Sequence, residues 1–207
     1  MEETKNNNEV VDVATSFFQK DLWTMLILFL KEPISGTYSL FADKKDKLFQ
    51  SIILIGVTVL LYIALPFILM GSYMTFGVAI KIGLFPLFFM LFVTLFSFCL
   101  KFISDKPDIK AELFTGAMQA LPLIFLFVFT VILKIFGENV IGSLMSGNLM
   151  GAGLFSIIMV YLLLMMINIV MQSLKSSKAK DAVAWYVSPV VILLSLYLTS
   201  KLMYAMF

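Results

Sequence analysis

Arginine and histidine are both missing from this chain: all fifteen of its basic residues are lysine. Without arginine it has no planar fork for a phosphate, and without histidine it lacks the usual general base and commonest metal ligand. Cysteine occurs once, at Cys99 inside an apolar run, which excludes an intrachain disulfide. Charge is scarce as well. Only 14% of residues are charged and 61% are hydrophobic, against about 25% and about 45–50% in soluble domains. With a mean hydropathy of +1.01 over 207 residues, a water-soluble fold has too little interior to hide so much apolar surface. The net charge of +2 is too small to argue for nucleic acid. The lipid bilayer is the partner this composition requires.

Five apolar stretches reach the roughly 20 residues that cross about 30 Å of hydrocarbon. They lie at about 51–71, 79–100, 114–136, 153–174 and 182–204. None alternates as a barrel strand does, and a lone span in lipid must satisfy its backbone internally. The expected fold is therefore all-α, a polytopic membrane bundle of five transmembrane helices over residues 51–207. The start, "MEETKNNNEVVD", has neither the basic region nor the apolar core of a signal peptide, so insertion is expected to use the internal spans.

Residues 1–50 read as a cytoplasmic segment with a disordered start and one amphipathic helix at about 13–31. Its uninterrupted apolar part, Leu22 to Leu30, has half the length of a span and is bracketed by Lys20, Asp21, Lys31 and Glu32 before Pro33. Phe17, Phe18, Leu22, Met25, Leu26 and Phe29 recur at helical spacing, and Trp23 suits the depth of the headgroups. Two placements fit equally: flat in the membrane interface, or packed on the end of the bundle.

The lysines are distributed unevenly among the connections. Lys44, Lys45 and Lys47 precede span one, Lys101, Lys106 and Lys110 fill the connection between spans two and three, and Lys175, Lys178 and Lys180 fill that between four and five. The other two connections, "SYMTFGV" and "GENVIGSLMSGNLMGAG", have none. Positive loops stay cytoplasmic. The expected orientation is N-terminus inside, five crossings, C-terminus outside.

Chemistry-bearing motifs are few. There is no HExxH, GxSxG or GxxxxGK[ST], so neither an enzyme nor a cofactor or metal is expected. The fourteen methionines read as packing residues. Lys81, Lys134 and Lys201 each lie near the outer end of a span. They read as snorkelling anchors, or as an outer basic ring contacting lipid headgroups or an anion. Thr58, Thr94, Ser97, Thr130, Asn168, Ser188 and Ser195 are the neutral polar groups within hydrocarbon, expected to join helices by hydrogen bonds. The spans as read carry no carboxylate, which argues against a proton- or cation-coupled carrier. Pro66, Pro86, Pro122 and Pro189 are expected to kink four spans.

The layout resembles the bacterial branch of the Yip1-domain family. The carrying segments are "FLKEPISGTYSLF" before span one, "ELFTGAMQALPLIF" leading into span three, and the hairpin "NIVMQSLKSSKAKDAVAWYVSPVVIL". Within the hairpin Ser177, Lys178, Ala179 and Pro189 are the matching positions. The resemblance covers about 20–207 and implies a multi-pass protein of the bacterial inner membrane, N-terminus in and C-terminus out. It implies no settled activity for the bacterial members. Two functions remain open: a non-enzymatic protein that binds protein partners or organises lipid, and a small oligomeric permease or channel subunit for an anionic or amphipathic solute. Either one implies a protein partner or a homo-oligomer.

Overall fold

The computed structural model describes residue 15 and residues 22–43, 47–102, 108–135 and 149–206. Expectations about Phe17, Phe18, Lys44, Lys45 and Lys106, and about the glycine-rich connection at 137–148, fall outside these residues. The chain divides into two compact units between positions 45 and 46.

The N-terminal unit contains α1 (Leu22–Lys31) and α2 (Ser35–Ala42). Pro33 and the residue before it stop α1, and the chain reverses through a turn in which Ser35 Oγ donates to Glu32 Oε2 at 2.8 Å. Gly36 then sits against the backbone carbonyl of Leu28, close enough that a Cβ would collide with it. Only glycine lets the two helices meet there.

The second unit is built from α3 (Leu48–Met70), α4 (Phe76–Lys101), α5 (Ile109–Met118), α6 (Ala120–Ile135), α7 (Leu149–Ser176) and α8 (Asp181–Met206). α5 and α6 together make one span, so five helical spans are long and apolar enough to cross a bilayer. Their bounds extend the sequence reading by a few residues at most ends. That is as expected, since polar residues continue a helix past the hydrocarbon.

Apolar surface faces outward. Only 22% of the most apolar stretch of α3 and 33% of that of α8 is buried within the protein. Ile52, Leu60, Leu91, Leu95, Ile157, Leu164, Val190 and Leu193 are exposed, while Ser51, Thr58, Ser97, Thr115, Ser173, Ser188 and Thr199 are fully buried. This is the reverse of a soluble bundle, and lipid is the solvent that accounts for it. Trp185 and Tyr204, both exposed, mark the two ends of α8. They are 19 residues apart (204 − 185), about 28 Å of helix at 1.5 Å per residue, close to the hydrocarbon thickness. The chain is an integral membrane protein.

α4 is the hub, packing on α3, α5 and α8 and touching α6 and α7. Two glycines set its closest approaches. Gly83 of α4 lies against Ile63 and the Val59 carbonyl of α3, and Gly116 of α5 against Thr94 and the Met90 carbonyl of α4. A Cβ at either position would overlap its neighbour. Pro66, Pro86 and Pro189 sit inside α3, α4 and α8 with the helices continuous around them. Pro122 acts differently. It has no N–H for the Met118 carbonyl and crowds it, and the helix breaks one residue later, at Gln119. There Gln119 N–H turns to the Gly116 carbonyl at 3.1 Å and the Leu123-to-Gln119 bond stretches to 3.4 Å.

The tight turn between α7 and α8 follows from backbone bonding. Ala179 N–H reaches the Leu174 carbonyl at 3.2 Å and Lys178 N–H the Lys175 carbonyl at 3.0 Å, the paired closure of a Schellman motif. Lys178 takes the left-handed position, φ 61°, which usually falls to glycine.

Candidate functional site

Buried polar chemistry concentrates where spans two, three and four meet. Lys101 is the last residue of α4, Glu112 and Thr115 lie on the first turns of α5, and Ser173 lies one turn before the end of α7. All four are buried, Lys101 and Glu112 at 5% and 2% exposure. Lys101 Nζ donates to Glu112 Oε1 at 2.6 Å and to Ser173 Oγ at 2.9 Å. Thr115 Oγ1 and Ser173 Oγ are 2.6 Å apart, and Thr115 Oγ1 donates to Glu112 Oε2 at 3.4 Å.

Donor accounting gives this ring a direction. Each hydroxyl has one proton. Thr115 uses its proton on Glu112, so Ser173, which already accepts from Lys101, donates to Thr115. The ring runs from Lys101 to Ser173, to Thr115, to Glu112, and Lys101 closes it on the other carboxylate oxygen. A charge pair taken out of water is tolerable only when its remaining lone pairs and protons are also satisfied. The two hydroxyls meet that condition here.

Asp108 prepares the geometry. Its side chain caps α5 by accepting from Lys110 N–H at 3.1 Å, so the helix begins early enough to place Glu112 inside the bundle. Gly116 then lets α5 approach α4 closely enough for Lys101 to reach Glu112.

The seam continues inward from the ring. Gln119, fully buried at the helix break, donates to the Met166 carbonyl of α7 at 3.4 Å, while its Oε1 has no hydrogen-bond partner. Ser97 of α4 is also fully buried and its Oγ is unpartnered. Along the α4–α5 contact Lys101 stands opposite Glu112 and Thr94 opposite Gly116, so Ser97 falls between them, level with Thr115. Gln172 donates to Asn168 Oδ1 on its own helix at 3.0 Å.

Three sequence expectations need correction. The spans do carry a carboxylate: the third begins at Ile109, ahead of the apolar run, and takes Glu112 in with it. Lys101 is not a loop lysine but the buried partner of that carboxylate. And most neutral polar groups do not join helices. Thr58, Thr94, Thr130 and Ser188 donate to the carbonyl four residues back on their own helix, the local alternative open to short hydroxyl side chains. Interhelical bonds within the bundle come instead from residues such as Tyr62, which donates to the Leu123 carbonyl at 3.1 Å, and from Gln119, Lys101, Thr115 and Ser173.

The outer lysines lie on three helices, α4, α6 and α8. Lys81 Nζ donates to the Met206 carbonyl at 2.7 Å, in the last turn of α8, where a cation meets the negative end of the helix dipole. Lys134 and Lys201 are exposed on helices with different packing partners: α6 lies chiefly on α3, and α8 on α4 and α7. Among the topology lysines, Lys47 Nζ lies 4.8 Å over the Phe114 ring, Lys175 pairs with Asp181 at 3.3 Å, and Lys110, Lys178 and Lys180 are exposed.

Phe29 and Met25 are buried in the protein and Leu22 and Leu26 partly so, whereas Trp23, Ile27 and Leu30 are exposed at 59%, 49% and 52%. Those three are spaced i, i+4, i+7 and form an outward apolar stripe.

Sequence reasoning passed over Glu112, Thr115 and Gln119 as a group; the one signal for them is that polar residues at i, i+3 and i+7 share one helix face. Ser173 gave no such signal. Compared with protein families, curated proteins and solved structures, the chain matches none.

Proposed function

We propose that this is a non-enzymatic membrane protein, Yip1-like in layout, that works by association with a protein partner or with lipid at the cytoplasmic face of a bacterial inner membrane. The observation that carries this reading is the apolar stripe Trp23–Ile27–Leu30 on α1. It belongs to a unit distinct from the span bundle, so the bundle's own lipid contacts do not require it. An exposed tryptophan beside aliphatic residues, with Lys31 ending the helix, matches the chemistry of interfacial and partner-binding helices. The proline-containing turn after α1 and the lysine-rich hairpin are two of the three segments on which the family likeness rests.

The test is W23S/I27S/L30S. Native-membrane purification in mild detergent, with mass spectrometry and particle mass on the same sample, is expected to return a stoichiometric foreign protein or retained lipid with the wild type and to lose it with the variant. Membrane insertion of the bundle stays intact. Identical copurification from both chains would rule the reading out.

A further inference from the structure

The ring around Lys101 is a cation held by oxygen. Its ammonium is coordinated by Glu112 Oε1 and Ser173 Oγ at 2.6 and 2.9 Å, with Thr115 Oγ1 linking Ser173 back to Glu112 Oε2. Fixing the two helices together does not require more oxygen than this. Yet the same seam holds two further fully buried oxygens without partners, Ser97 Oγ and Gln119 Oε1. A buried polar atom without a partner is costly, and an unexplained one points to something it binds.

From this arrangement we infer an exchangeable monovalent-cation site, formed by Glu112, Thr115 and Ser173 with Ser97 and Gln119 as its inner ligands, in which the Lys101 ammonium is the tethered occupant. One carboxylate with four neutral oxygens suits a hard cation of single charge. A divalent ion would want more carboxylates, and among the described residues no group of three or more His, Cys, Asp or Glu side chains is placed to hold one. Lys101 lies on the last turn of α4, so its four-carbon stem can swing toward the end of the bundle and leave the carboxylate to a free ion. The exchange conserves charge: one cation leaves Glu112 as another arrives. Intramembrane ion sites are built in this way from helix-borne side chains beside a break in a span, and Gln119 sits at such a break.

The experiment uses the full chain purified in detergent, melted in choline, sodium, potassium or lithium chloride at one ionic strength. K101M removes the tethered occupant. It is expected to melt low in choline and to recover saturably with one of the alkali cations, by about 5–10 °C at a hundredfold excess over the dissociation constant. The wild type responds at higher concentrations, because the ion must displace Lys101. K101M/E112Q and K101M/Q119L lose the recovery. Should K101M fail to fold, the wild type and Q119L decide the matter, with a saturable cation-specific shift in the first and its loss in the second. If choline and the alkali cations act alike on every chain, or if E112Q and Q119L leave the response unchanged, the inner oxygens serve water and the inference is wrong. This outcome is independent of the α1 substitutions.

Discussion

At the scale of single residues, Lys101 and Glu112 carry the largest stake. Their 2.6 Å contact is buried on both sides, so losing one partner strands the other charge in a low-dielectric interior. Truncating one member of such a pair costs about 3–5 kcal/mol, whereas replacing both with apolar residues of similar volume is often near neutral. E112A in the absence of alkali cation is therefore expected to lower unfolding free energy by that amount, and K101M/E112L to recover most of it. Reversible unfolding in mixed micelles measures both. A double variant that loses the sum of the losses of K101M and E112A would mean that the pair is not coupled. Tyr62 shows a milder version of the same logic: its buried hydroxyl donates to the Leu123 carbonyl of α6, whose oxygen has a second lone pair to accept it.

The elements themselves are governed by where the helix can continue. Pro122 lies just past a break at Gln119, whose side chain reaches the Met166 carbonyl of α7, while Pro66, Pro86 and Pro189 leave their helices unbroken. Four prolines in comparable sequence settings thus have two structural outcomes. The α7–α8 turn gives a prediction at this scale. Lys178 holds a left-handed conformation that costs a non-glycine residue about 1–2 kcal/mol. K178G is expected to stabilise the protein by about 0.5–1 kcal/mol once the greater freedom of glycine in the unfolded chain is subtracted. A rise in melting temperature checks it. A fall would mean that the Lys178 side chain contributes more than its backbone strain costs.

At the scale of the molecule, the span-bearing unit is a bundle around α4 with polar groups turned inward and apolar groups turned to lipid. The connections at the ring end carry the lysines, and those at the other end carry none among the residues of "SYMTFGV". Positive charge disfavours translocation, so the ring end is expected on the inner side. With Cys99 as the sole cysteine, the orientation is directly measurable. On a C99A background, Y73C is expected to react with a membrane-impermeant thiol reagent in intact cells, and K178C to react only after permeabilisation. The opposite pattern would invert the topology and place the ring on the outer face.

Composition and run length determined by themselves that this is an all-helical membrane protein with five spans, because burying a backbone in lipid admits few solutions and each span must be apolar over its own length. Helical periodicity likewise singled out α1, although not which of its faces turns outward, since both faces are apolar and only packing chooses between them. The ring was decided by tertiary structure alone. Lys101, Glu112 and Ser173 come from three different helices, and each taken singly looks like an ordinary polar residue at the edge of a span. Only the capping of α5 by Asp108 and the close approach at Gly116 bring their charges within bonding distance, and no local pattern encodes a meeting between helices so far apart along the chain.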